Sequence, residues 1–275
     1  MTGPSTPAPA GLLDLAIRVA LRAGDVLASG AGQVAVAATK SSPTDVVTEM
    51  DRRSEDVCIR EIFASRPDDA ILAEEGGAIG TGASGVRWVI DPLDGTVNYL
   101  YGLPDWAVSI AAEAHGQVVA GVVHLPRRGE TFTATIGGGA WLASGPAEAP
   151  VRLRVRPAAA LSEALVATGF GYIAARRKVQ GETVAVLLPQ VRDIRRGGSA
   201  SVDLCSVAAG RLDAYYERGL NYWDYAAGAL IAAEAGAVVG GLSGPIGTSM
   251  ALAAPPALFD ELSAVLTALR PERDE

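Results

Sequence analysis

The chain has 275 residues, 49% hydrophobic and 20% charged, enough to bury one large core or two closely packed ones. Its net charge of −8 excludes the basic footprint of non-specific nucleic-acid binding, so no direct nucleic-acid contact is expected. An acidic chain that handles an anion must reverse its local field, and bound cations are the obvious means.

Residues 1–10 have neither a basic start nor an apolar run and read as a disordered tail rather than a signal peptide. Apolar residues at helical spacing (Leu12, Leu15, Val19, Ala23, Val26) predict a helix over 12–29. A short strand over 34–38 follows. The loop at 40–44 carries Lys40, either a solvated cation or a group that approaches bound phosphate. Thr48 is a good N-cap for a helix over 49–65, and Asp51 three residues on resembles a capping box. Asp51 therefore has a structural reading beside any chemical one. A strand over 70–73 exits into Glu74-Glu75-Gly76-Gly77, and 78–86 reads as a flexible surface loop.

The apolar run Trp88-Val-Ile90 reads as a buried strand that delivers Asp91 to its exit. Pro92 stiffens the turn, and Asp94 comes close enough to share one cation with Asp91. Gly95 and Thr96 then offer backbone N–H groups that suit an anion. Hard oxygen ligands beside an anion cradle point to a divalent metal with phosphate. An ordinary acidic strand-turn is the competing reading.

A hairpin is predicted over 107–114 and 117–125, turning at His115-Gly116. A strand over 130–136, a Gly turn at 137–139 and an edge-type strand over 151–156 complete a half rich in antiparallel strands. The second half alternates: strands over 165–168, 191–195, 212–216, 237–240 and 250–253, and helices over 174–188, 199–209, 223–235 and 256–269. With no disordered linker and no repeat, 11–275 reads as one unit with lobes of about 11–150 and 151–275. His115 and His124 lack partner motifs and read as structural. Cys58 and Cys205 read as buried free thiols of a reducing compartment, and no uninterrupted run reaches membrane length. A cytoplasmic protein without membrane contact is expected.

Acidic residues recur where predicted strands stop or helices start: Asp51, Glu74, Glu75, Asp91, Asp94, Glu217 and Asp224. Asp224 opens an apolar, small-residue helix, where it either satisfies orphan N–H groups or binds a cation. Together with the blocks Lys40-Ser-Ser-Pro-Thr-Asp-Val-Val-Thr-Glu-Met-Asp51, Leu72-Ala-Glu-Glu-Gly76, Trp88-Val-Ile-Asp-Pro-Leu-Asp-Gly-Thr-Val-Asn-Tyr99 and Trp223-Asp-Tyr-Ala-Ala-Gly228, they carry a resemblance. The chain resembles the inositol monophosphatase family, within the superfamily of lithium-sensitive, magnesium-dependent phosphatases. The segments 195–205 and 210–217 look closest to its bacterial branch, actinobacterial members in particular.

The resemblance implies the sugar phosphatase fold, an α+β protein layered as an αβαβα sandwich, with an antiparallel-rich N-terminal lobe and an α/β C-terminal lobe. It implies two to three Mg²⁺ ions. Glu74, Asp91 and the carbonyl of Leu93 match the ligands of the first; Asp91, Asp94 and Asp224 match those of the second; Glu74 also reaches a weaker third position. Asp51 and Thr96 match the pair that orients and deprotonates the attacking water. Gly95 and Thr96 fall where phosphate binds. Asp94, Glu217 and the Gly198-Ser199-Ala200 segment match positions that hold the sugar ring, beside Asp224. Glu75 supports the site. Asn221 stands where some animal members carry His. The implied activity is hydrolysis of inositol monophosphate, a small phosphorylated polyol, by a homodimer. The alternatives are fructose 1,6-bisphosphate, 3′-phosphoadenosine 5′-phosphate or histidinol phosphate as substrate, and, in a different class, a regulatory binding protein.

Overall fold

The computed structural model describes residues 8–32, 36–39, 46–145, 148–157 and 160–273. Helix α1 (Pro9–Gly30) buries Leu12, Leu15, Val19, Ala23 and Leu27 along one stripe. It begins two residues inside the segment expected to be a tail, because Pro9 and Ala10 suit a helix start. The strands β1 (Val36–Thr39) and β2 (Val46–Thr48) pair antiparallel before α2 (Glu49–Ser65). Lys40 and the expected loop at 40–44 lie outside the described residues.

Next come β3 (Ala70–Ala73), β4 (Gly77–Ile79), β5 (Val86–Asp94), α3 (Thr96–Leu100), β6 (Ala107–Ala114), β7 (Gln117–Leu125), β8 (Glu130–Thr135), β9 (Gly139–Ser144) and β10 (Val151–Arg152). They build an eight-stranded sheet in the order β10-β9-β8-β7-β6-β5-β3-β4. The second half supplies β11 (Leu165–Thr168), α4 (Ala174–Leu187), β12 (Asp193–Arg195), α5 (Ala200–Ala208), β13 (Ala214–Glu217), α6 (Tyr222–Glu234), β14 (Val238–Gly240), β15 (Ala251–Ala254) and α7 (Pro256–Leu269). Its five-stranded sheet runs β12-β11-β13-β15-β14. Parallel pairs join β11 to β12 and β13; β15 is antiparallel to both its neighbours.

Burial defines five layers. Leu12, Val19 and Leu27 of α1 and Ile62 of α2 pack with Trp88, Ile90 and Ile110 on one face of the large sheet. Val89, Ala111, Val123 and Phe132 on its other face meet Val202 and Cys205 of α5 and Ala227 and Ile231 of α6. Leu204, Val207 and Ala232 from those same helices meet Tyr215 and Ala253 of the small sheet. Its far face packs on Leu187 of α4 and on Leu258, Leu262 and Leu266 of α7. This is the αβαβα order. The alternation Trp88 in, Val89 out, Ile90 in is strand periodicity between two apolar layers.

Four expectations change. The stretch expected as a loop at 78–86 contains most of β4, which pairs antiparallel with β3 through Ile71 and Ile79. Strand β9 was not foreseen: Gly137 and Gly139 take left-handed φ values of 71° and 78°, so the Gly turn closes a hairpin. The strand expected over 151–156 is regular only at Val151–Arg152: the Leu153 N–H still donates to the Ala140 carbonyl of β9, but the Val155 N–H leaves the sheet for the carbonyl of Ala235. Strand β5 runs past Ile90 to Asp94, and its register with β6 shifts between Asp91 and Asp94. Pro92 has no N–H to give the ladder, and this break turns the acidic pair out of strict strand alternation.

Candidate active site

Strand exits and helix starts converge between the two sheets. Glu74 leaves β3 with its N–H on the carbonyl of Ile90, 3.2 Å away. Asp91, Leu93 and Asp94 occupy the irregular end of β5, where the Leu93 N–H donates to Asp91 Oδ1 at 3.0 Å. Ser54 of α2 donates to the Pro92 carbonyl at 2.7 Å and fixes the same turn from behind. Glu74, Asp91, Leu93, Asp94, Gly95, Thr96, Gly198, Ala200, Glu217 and Asp224 all line one cleft of about 380 Å³.

The carboxylates there are buried and crowd one another. Burial, then the charges of Glu74, Asp94 and Asp224, hold the Asp91 carboxyl well above the usual carboxylate range. Asp224 is raised by burial and then by Glu74 and Asp94. Burial also raises Asp94, against the hydroxyls of Ser199 and Ser201. Desolvation and like charge act in one direction, and a cation is the chemical species that reverses both. All donors in the group are hard oxygens, which suits Mg²⁺. Among the described residues, no three His, Cys, Asp or Glu side chains already stand as a ready metal cage.

Asp51 serves two masters with two oxygens. Oδ2 accepts from the Thr48 N–H at 2.8 Å and the Thr48 hydroxyl at 2.6 Å, which is the capping box. Oδ1 faces the Thr96 hydroxyl at 3.0 Å. The capping role therefore leaves Oδ1 to Thr96. Thr96 Oγ1 also lies 3.1 Å from the Leu93 carbonyl, so its single proton has two acceptors. Asp51 is 1% exposed, and burial raises its carboxyl above the ordinary range. It reaches the cleft only through Thr96.

Gly95 precedes α3 at φ 93°, and a Cβ there would stand 2.9 Å from the Asp105 carbonyl. Only glycine fits both constraints. Glu217 ends β13 and accepts from the Tyr215 hydroxyl at 2.8 Å. Burial pushes its carboxyl up to about 7, with the Tyr215 bond and the Arg196 guanidinium opposing. A Cβ on Gly169 would lie 1.8 Å from Glu217 Oε2, so that glycine makes room for the carboxylate.

Ser199 stands apart from its neighbours. It caps α5, is 3% exposed, and donates its hydroxyl to Asp94 Oδ2 at 2.6 Å. Expected to hold the substrate ring, it instead orients Asp94 and does not line the cleft, since an N-cap hydroxyl is engaged by its own helix. Ser201, absent from the expectations, gives the same oxygen its N–H at 2.7 Å and its hydroxyl at 2.6 Å. Three donors from the start of α5 thus converge on Asp94 Oδ2. Asn98 bridges the sheets by donating to the carbonyls of Asp105 at 2.6 Å and Gly197 at 2.9 Å. Phe170, Tyr172 and Arg196, within the segments around 170–175 and 196–200 expected to discriminate between substrates, also line the cleft, and so does Arg176, which was missed. Glu75 gives its N–H to Glu55 Oε2 at 2.8 Å. Asn221 is the N-cap of α6, with its N–H on Asp224 Oδ2 at 2.7 Å. Neither His115 nor His124 lines the cleft, and both cysteines are buried and free. Among the described residues, no helix is long and apolar enough to cross a membrane.

The chain is similar to known proteins over most of its length. The model of the inositol monophosphatase family matches residues 9–270. The inositol-1-monophosphatase SuhB of Mycobacterium tuberculosis H37Rv is 49% identical over 245 residues, covering 86% of this chain and 83% of that protein. A Pasteurella multocida protein named Nus factor SuhB is 43% identical over 83% of this chain and 84% of its own. Among solved structures, Thermotoga maritima IMPase superposes with a TM-score of 0.85 at 32% identity, over 96% of this chain and 100% of that one. Mycobacterium tuberculosis SuhB gives 0.81 at 41% identity, over 96% and 98%. The chain is a phosphatase and belongs to the inositol monophosphatase family.

Proposed function

We propose that the protein hydrolyses inositol monophosphate to inositol and phosphate with Mg²⁺ held by Glu74, Asp91, the Leu93 carbonyl, Asp94 and Asp224. The observation that carries this reading is the mutual repulsion of buried carboxylates lining one cleft, with oxygen donors only. Bound there, two Mg²⁺ ions supply a lowered pKa for water and charge neutralisation at the leaving alkoxide.

The chain's own residues do the rest. Thr96 Oγ1 takes a proton from the attacking water as its own proton passes to Asp51 Oδ1, so that the proton ends on the Asp51 carboxylate. Gly95 and Thr96 offer backbone N–H groups to the phosphate, where glycine permits the close approach. Asp94 and Glu217 accept hydrogen bonds from hydroxyls of the polyol, with Gly198 and Ala200 as the adjoining wall. Catalysis by a held water needs no nucleophilic Ser or Cys with a His partner.

A panel of phosphate monoesters assayed with and without Mg²⁺ tests this reading. Inositol 1-phosphate is expected to give the highest kcat/KM, above fructose 1,6-bisphosphate, 3′-phosphoadenosine 5′-phosphate and histidinol phosphate, and chelation with EDTA is expected to abolish turnover. Phosphate release that survives EDTA, or a preference for another monoester, would overturn the metal or the substrate part respectively. The name of the Pasteurella multocida relative keeps a regulatory role in view. The complete carboxylate set favours turnover over binding alone.

A further inference from the structure

The first turn of α6 is pinned to the large sheet by a cluster outside the cleft. Tyr222, its first residue, donates its hydroxyl to Glu113 Oε2 at 2.8 Å. Arg87 Nη2 donates to that same oxygen at 2.7 Å. The Arg87 guanidinium carbon stands 5.6 Å from the centre of the Tyr222 ring, and that ring meets Tyr225 edge to face at 5.5 Å. Arg87 and Glu113 are direct cross-strand partners on β5 and β6. Glu113 is 8% exposed, so the shared acceptor is largely out of water, while the Arg87 side chain is half-exposed.

The position of this clamp matters for Asp224. The first turn of a helix lacks intrahelical acceptors for its N–H groups and frays readily. Asp224 stands in that turn, two residues after Tyr222. The Asn221 N–H engages its Oδ2 at 2.7 Å, which leaves Oδ1 for the cleft. Whether Oδ1 can share a cation with Asp91 and Asp94 depends on where the turn sits relative to β5. Strand β5 carries Asp91 and Asp94 at one end and Arg87 near the other. One strand therefore holds both the partner ligands and the foot of the clamp.

We propose that the Arg87–Glu113–Tyr222 clamp positions Asp224 and so sets the affinity of the second cation site. This rests on the reading of Asp224 as a cation ligand. Tyr222 is a positioning residue, acting through the helix turn and touching neither substrate nor cation.

Calorimetric titration of the substrate-free protein with Mg²⁺ tests the clamp without any turnover. Tyr222→Phe keeps the ring and removes one hydroxyl. Its Mg²⁺ dissociation constant is expected to rise about 3- to 10-fold, less than the 10- to 100-fold typical of a residue bonded directly to a ligand. Arg87→Met, at a half-exposed position, is expected to weaken binding in the same direction. A brace that serves only the fold would lower the ion-free melting temperature and leave the Mg²⁺ affinity at the wild-type value. Wild-type affinity in Tyr222→Phe, or in Arg87→Met should the first variant not fold, overturns the proposal. Asp224→Asn in the same titration separates the two readings. If it too binds Mg²⁺ like the wild type, the ligand assignment fails; if it binds weakly while the clamp variants do not, the clamp alone fails.

Discussion

Asp91→Asn is expected to lower phosphate release about a thousandfold or more, roughly 4 kcal/mol of barrier, while raising the melting temperature of the ion-free protein. Both effects have one source. Asp91 is 2% exposed, and Glu74, Asp94 and Asp224 add to its burial in raising its carboxyl. A carboxyl raised in the folded state binds its proton more tightly there than in the unfolded chain. The folded state then loses stability as pH rises from the unfolded value of about 3.9 through the raised folded one. At pH 7.5, without cations, the wild type bears that penalty. Asparagine removes the charge at nearly constant shape and relieves it. For a chain of this size each kcal/mol relieved raises the melting temperature by about 2–4 °C. Melting curves in EDTA between pH 5 and 8 check the sign. The wild type is expected to melt lower as pH rises, and Asp91→Asn to show a flatter dependence. Added Mg²⁺ should restore the wild type more than the variant. A variant that melts below the wild type in EDTA at pH 7.5 would contradict this account of the crowded carboxylates.

Thr96→Val separates the chemistry of the water from the binding of metal. The substitution keeps the branched shape and removes the hydroxyl that joins Asp51 to the cleft. Loss of a positioned proton acceptor typically costs about 10²- to 10⁴-fold, and kcat is expected to fall within that range. The Mg²⁺ affinity is expected to change far less, because the carboxylates are untouched. Steady-state kinetics at saturating Mg²⁺, with a parallel calorimetric titration, read the two quantities. A kcat within about threefold of the wild type would remove Thr96 from the proton path. Asp51→Asn is a poorer probe, since Asp51 Oδ2 also accepts from the Thr48 N–H and hydroxyl at the start of α2.

Much of the fold was legible because its signals are local. Strand β6, strand β7 and their turn at His115-Gly116 fall where alternation and Gly place them, and His115 takes a left-handed φ of 52°. Helix α2 begins at its Thr48 cap and α7 at Pro256. Strand β9 was illegible because Gly139-Ala-Trp-Leu-Ala-Ser144 has no clean alternation; its pairing with β8 comes from the turn and from burial of Ala140 against Ala134. The cleft's acidic residues stood out in the chain because each follows a strand or opens a helix. Ser201 did not, since its meaning depends on Asp94, about a hundred residues away. Ser199 was legible as a residue of the region but not in its task. The resemblance places its segment at the sugar ring, whereas its hydroxyl goes to Asp94 Oδ2.

The central claim is that Glu74, Asp91, Asp94 and Asp224 together hold divalent cations. Crystals grown with Mn²⁺ in place of Mg²⁺, measured at the manganese edge, test it most directly. The account predicts at least two anomalous peaks in the cleft about 4 Å apart, with Asp91 bridging them and Asp224 on the second. A cleft without anomalous signal, or peaks that leave Asp91 uncoordinated, would contradict it.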